Sequence, residues 1–360
     1  MLHRPWIRIA ALTGAIVLLT TGCSLWGSKK ANQIDPPQSG TGAEAVSKTV
    51  SGTGSGSGSG TGSSSGSGAG SGTVTINMAD SQNQMTLFAK DAKGFVAPIS
   101  LSLPKTQSPA RTTLEYMVKG GPVDSLLPSG FEALLPKGTI IKGVNIITEK
   151  KLAVVDFSKQ FLSYTPGDER KILEAITWTL TGFPAVEKVQ LWVEGKVLKE
   201  MPVGKTPLDQ PIGRTMGINI EKSEDADFGQ STPVTLYFLN QNDPNYKYYV
   251  PVTRMVKRTD DVVTTTVQQL IKGPDAKKGL SPVIQPGTEV RSVKKTDNLI
   301  TIDFSGKLLG SDQKASVDTL QSIVLSLTEN TGISKVQIMI DGAVKDASVS
   351  RPSHVNPVKL

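Results

Sequence analysis

The sequence predicts an α+β protein of two tandem repeats, each a small, mostly antiparallel sheet with two helices packed on one face. Three observations carry this. One ordered set of apolar patterns occurs twice, roughly 150 residues apart. Within each copy, period-two and helical-period segments follow the order strand, strand, helix, hairpin, helix, strand. Turn and stop residues recur at matching places in both copies.

The copies open with short β-type runs, Thr86-Leu87-Phe88-Ala89 and Thr235-Leu236-Tyr237-Phe238. Second β-type runs follow at 95–103 and 248–254. A helix comes next. Ala110, Leu114, Met117 and Val118 in the first copy match Val263, Val267, Leu270 and Ile271 in the second, one apolar helical face each. Gly120-Gly121-Pro122 and Gly273-Pro274 supply the stops. Pro136-Lys137-Gly138-Thr139 and Pro286-Gly287-Thr288 then lead into hairpins, with strands at 139–147 and 152–157, and at 288–293 and 299–304. Ile300, Ile302 and Phe304 alternate with Thr301 and Asp303, as in a strand covered on one side. Both hairpins end in Asp-Phe-Ser. Second helices are predicted over about 168–181 and 316–328, and closing strands over 188–195 and 335–342. The tails repeat as well: Arg214 and Asn219 echo Arg351 and Asn356 at one spacing. Each unit is long enough for its own core, so the two are expected to pack separately.

The N-terminus reads as an export signal. Arg4 and Arg8 precede an uncharged stretch over 9–21, and Gly22-Cys23 closes it. That stretch is too short for the ~20 residues of a membrane span. Cys23 is the one cysteine of the chain. A cysteine at the cut site predicts a lipoprotein: cleavage after Gly22, and a lipid on Cys23 that anchors the chain to the outer face of the cytoplasmic membrane. Residues 51–72 are Gly, Ser and Thr with one Ala, a composition that buries nothing. The expected organisation is signal peptide 1–22, lipid-anchored disordered tether 23–73, first repeat 74–215, linker 216–230, and second repeat with a polar C-terminal tail 231–360. About fifty residues of such tether have an r.m.s. span of roughly 40 Å. The net charge of +7 falls to +5 when Arg4 and Arg8 leave with the signal. That modest basicity suits anionic lipid or wall polymer, and no nucleic-acid-binding pattern accompanies it.

The residue inventory argues against catalysis. Of two histidines, His3 lies in the signal and His354 in the polar tail, where a solvated side chain is expected. Without His or Cys in either repeat, nucleophilic triads and zinc sites have no residues to build them. No catalytic residue, metal site or cofactor is predicted. Asp156 and Asp303 recur in both copies; they are read as strand-end carboxylates that accept hydrogen bonds from the Phe-Ser turn following them. Glu221, Glu224, Asp225 and Asp227 in the linker are read as solvating charge. Trp178 and Trp192 are read as core residues, with stacking on wall glycan as the sharper alternative. Tyr246, Tyr248 and Tyr249 form an aromatic cluster that is the candidate partner-binding site, because Tyr is enriched at interfaces.

At the repeated positions the chain resembles the GerMN domain. The residues that carry the likeness are Val250-Pro251-Val252, the helix end at 270–274 (Leu-Ile-Lys-Gly-Pro), the Pro-x-Gly-Thr turn, Asp-Phe-Ser, and the closing Val-Gln-Ile-x-Ile-Asp-Gly at 336–342. The resemblance implies a fold like the ring-building domains of secretion systems. It implies a non-enzymatic lipoprotein of sporulation and spore germination, held in the mother-cell-derived membrane around the forespore. Its implied partners are other extracytoplasmic sporulation proteins, in a complex joining mother cell and forespore. The alternatives are a module binding peptidoglycan or anionic wall polymer, and a spore-wall hydrolase using carboxylates alone.

Overall fold

The computed structural model describes residues 84–358, apart from Asp225, Phe228, Pro244, Asn245 and residues 345–347. The predicted signal, Cys23 and the tether lie outside the described residues.

The α+β tandem-repeat architecture is as the sequence predicts. The first repeat holds β1 (Gln84–Lys90), β2 (Val96–Ser102), α1 (Pro109–Glu115), β3 (Ile141–Ile147), β4 (Leu152–Phe157), α2 (Glu169–Leu180), β5 (Lys188–Val193), β6 (Lys196–Val197) and β7 (Ile212–Gly213). A short β8 (Glu221–Lys222) precedes the second repeat: β9 (Ser231–Asp243), β10 (Tyr246–Lys257), α3 (Val262–Lys272), β11 (Val290–Lys295), β12 (Ile300–Phe304), α4 (Val317–Thr331), β13 (Lys335–Ile340), β14 (Ala343–Val344) and β15 (Val349–Ser350).

Hydrogen bonding divides the strands of each repeat into two sheets. The opening strands form a separate antiparallel hairpin, β1–β2 or β9–β10. The later strands form a mixed sheet in which β4 and β5, or β12 and β13, run parallel. The parallel pair follows from the chain between them, where α2 or α4 supplies the crossover. Both helix pairs touch the hairpin as well as the mixed sheet, so they are enclosed on more than one side. This explains why α4 buries Ser322 and Ser326 along with Ile323 and Leu327. The Ser326 hydroxyl accepts from the Tyr237 amide at 2.9 Å and donates to the Ser322 carbonyl.

The first helix differs between the copies. In the second, α3 runs as predicted: Asp261 accepts from the Thr264 amide at its start, and Gly273 at φ 81° ends it. In the first, α1 stops at Glu115, short of the predicted Met117 and Val118. Their side chains remain buried. The backbone leaves the helix because Leu135 captures it: the Leu135 amide donates to the Met117 carbonyl, and the Lys119 amide to the Leu135 carbonyl, both at 2.9 Å.

The expectation of separately packed units is overturned. One core gathers Leu87, Leu101, Leu114, Phe157, Ile176 and Trp178; the other gathers Leu236, Phe238, Val252, Leu270, Phe304 and Ile323. Phe95 and Ala97 from the first repeat belong to the second core, and Phe131 packs against both. Strands β2 and β10 adjoin, so both are buried over nearly their full length. Residues 84–358 fall within one compact unit.

Candidate functional site

The junction of the repeats is built by exchange of their tails. The tail of the first repeat runs onto the second: the Thr253 amide donates to the Ile218 carbonyl at 2.8 Å, and β8 pairs parallel with β10. The tail of the second repeat runs onto the first: the Ser100 amide donates to the Asn356 carbonyl at 3.1 Å, and the Val358 amide to the Ser100 carbonyl at 3.0 Å. Each tail carries an asparagine at left-handed φ, 48° for Asn219 and 54° for Asn356, a conformation Asn tolerates better than most residues.

These asparagines bind main chain of both repeats. Asn219 Nδ2 donates to the Val96 and Pro251 carbonyls at 2.8 and 2.7 Å, and its Oδ1 accepts from the Val96 amide. Asn356 Nδ2 donates to the Pro98 and Tyr249 carbonyls, both at 2.8 Å, and its Oδ1 accepts from the Tyr249 amide. Val96-x-Pro98 in β2 matches Tyr249-x-Pro251 in β10, so the two sets of bonds are related by pseudo-twofold symmetry.

Glu329 of α4 adds a charged tie. It accepts from Arg214 at 2.6 Å and from Arg351 at 2.8 Å, one arginine from each tail. Arg214 also lies over Trp178, 4.6 Å from the ring centre, and donates to Thr181. Burial disfavours ionisation of Glu329, but the two guanidiniums outweigh it and hold the carboxyl below its usual range. The Tyr237 hydroxyl donates to the same carboxylate at 3.1 Å; burial, then that carboxylate, push its pKa up to about 12.

The predicted tyrosine cluster serves this junction and presents no free surface at two of its three positions. Tyr248 and Tyr249 are buried, and Tyr246 is half-buried. The Tyr248 hydroxyl donates to Asp91 at 2.8 Å and lies 2.8 Å from Asn240 Nδ2, which also donates to Asp91. Tyr246 stacks on Tyr248 and donates to the Asn356 carbonyl at 3.1 Å. Burial raises the pKa of all three phenols. Apolar neighbours at the repeat boundary recruit them inward.

Other sequence readings also shift. Asp156 and Asp303 do accept turn amides, but from across the sheet: the Gly195 and Gly342 amides, each at 3.0 Å. Glu194 and Asp341, beside those glycines, accept in turn from the Lys159 and Gly306 amides. The four carboxylates lock the ends of parallel strands. Glu221 of the linker is buried against Arg254 at 3.0 Å, not solvating. His354 is half-buried in the docked tail, and burial lowers its pKa. Trp178 is core; Trp192 lies on the outward face of the first mixed sheet, its Nε1 donating to Gln190 at 3.2 Å. Sequence reading missed the exchange because the repeated Arg and Asn mark positions without saying which repeat they touch. Among the described residues, no group of three or more His, Cys, Asp and Glu is placed to hold a metal ion, and no helix is long and apolar enough to cross a membrane.

Comparison with known proteins decides the family. The profile described as "Germane: Sporulation and spore germination" matches residues 79–199 and 235–346. The chain belongs to the Germane family. It is 36% identical to the spore germination protein GerM of Bacillus subtilis (strain 168), over 97% of this chain and 97% of that one. The solved tandem GerMN domains of B. subtilis GerM superpose with a TM-score of 0.71 at 37% identity, covering 76% of this chain and 99% of that one. Among Germane-family features, the doubled match falls on the two repeats described above. This agrees with a sporulation and germination protein built from tandem GerMN domains.

Proposed function

We propose that this Germane-family chain is a non-enzymatic assembly lipoprotein, held by Cys23 on the extracytoplasmic face of the membrane around the forespore. There its fused repeats bind other extracytoplasmic proteins of sporulation and germination. The observation that carries the non-enzymatic part is the use of the repeated carboxylates: Asp156 and Asp303 each hold a turn amide at a strand end. A group whose hydrogen bond fixes the fold is poorly placed to shuttle protons. The likeness to GerM over nearly the whole chain supports the biological setting.

The test compares yields of heat-resistant spores. Asp156→Asn with Asp303→Asn retains an oxygen that accepts from Gly195 and Gly342 while removing both charges. The double variant is expected to sporulate like wild type. A double variant that folds normally yet matches the null strain would overturn the reading in favour of carboxylate catalysis.

A further inference from the structure

The outward face of the first mixed sheet carries more apolar side chains than the matching face of the second. Alternation along β4 turns Ala153, Val155 and Phe157 into the core, and so turns Leu152 and Val154 outward. Register then places Ile147 beside Leu152, and Val197 beside Trp192, on the same side. Ile140, 59% exposed, extends the face at one end. None of these six side chains packs against either core.

The second repeat gives an internal control. Its strands have the same order and it keeps Leu299, Met339 and Val344 where the first has Leu152, Trp192 and Val197, but Glu289, Thr296 and Thr301 stand where the first has Ile140, Ile147 and Val154. The shared fold therefore does not require apolar residues at these three positions. Exposed contiguous apolar patches mark interaction sites.

Charge around the face is mixed but positive on balance. Lys142 and Lys151 are neutralised by Glu194 and Glu187. Lys150, Lys188, Lys196 and Lys199 are exposed and, among the described residues, have no carboxylate partner; the acids without an ion pair are Glu149, in the same turn as Lys150, and Asp156, on the face beside Trp192. An apolar centre with Trp and a charged rim is the anatomy of a protein interface.

We propose that this face docks a partner protein that presents an apolar patch rimmed by carboxylates. The proposal rests on the assembly reading and assigns that reading a surface.

The test uses the full-length protein in sporulating cells. A photo-reactive p-benzoyl-phenylalanine replaces Trp192, or in separate strains Met339 or the exposed Val317, and cross-linked peptides are sequenced. The expected result is a protein adduct at 192 and none at 339, with an acidic peptide at the link. Ile147→Thr with Val154→Thr, which installs the residues of the second repeat, should cut the yield severalfold without lowering Tm; so should Lys188→Glu with Lys199→Glu. Equal adducts at 192 and 339, a lipid or glycan adduct at 192, or an adduct indifferent to both double variants would overturn the proposal. Protein adducts at 317 with none at 192 would overturn it while leaving the assembly reading standing; absence of protein adducts at all three positions would count against both.

Discussion

Asn219 and Asn356 make the same three hydrogen bonds to opposite repeats, each joining a carbonyl of β2 to a carbonyl of β10. The two hairpins are thus tied twice by one chemical device. Replacing either asparagine by alanine strands main-chain groups away from water. Each buried group left unpaired costs about 1–3 kcal/mol, and alanine is also strained at the positive φ of these sites.

We therefore expect Asn219→Ala and Asn356→Ala each to lower Tm by several degrees, and the double variant to destabilise both repeats together. Asn→Gly at either site separates the two causes, since glycine accepts the positive φ without supplying the bonds. Hydrogen exchange should rise in β2 and β10 alike for either variant. Exchange that rises in only one hairpin would show that the ties are independent.

Glu329 sets a pH dependence of definite sign. Its folded pKa lies below the ordinary glutamate value of 4.5. Its stabilising contribution is therefore complete above that value and is lost as pH falls through the folded pKa. Glu329→Gln should remove this part of the acid sensitivity and cost about 3–5 kcal/mol at neutral pH, because two arginines lose their buried partner. Urea titrations from pH 7 to 3 check this; parallel acid profiles for variant and wild type would rule it out.

The repeats also unfold as one in our expectation. Leu270→Asp places an unpaired charge in the second core, costing several kcal/mol, near the whole stability of a small domain. Because Phe95, Ala97 and Phe131 of the first repeat share that core, protection should fall in both. Proteolysis that releases an intact, folded first repeat from this variant would contradict the shared core.

Much of this architecture was legible in the order of the residues, and the reasons for the gaps are physical. Local patterns act within a few residues, so β4, α2, α4 and β13 lie close to where period and capping residues put them. The early end of α1 depends on Leu135, a partner distant in sequence that no helical period reports. Tyr248 reads as interface in sequence, and it is one, but the interface is internal: its hydroxyl meets Asp91 of the other repeat. Trp192 stands out by residue type, yet its outward position emerges only from the register of β4, β5 and β6.

The last prediction concerns the anchor. Gly22-Cys23 after a short uncharged stretch motivates lipidation of Cys23. A single acyl chain gives marginal membrane binding, so stable attachment needs a second chain or a basic patch. Cys23→Ala should therefore leave an unprocessed precursor or release the protein from membranes, with both repeats still folded. Fractionation of cells expressing that variant, with N-terminal sequencing of the product, makes the comparison. Mature, membrane-bound protein in the Cys23→Ala strain would mean that something other than Cys23 holds the chain at the membrane.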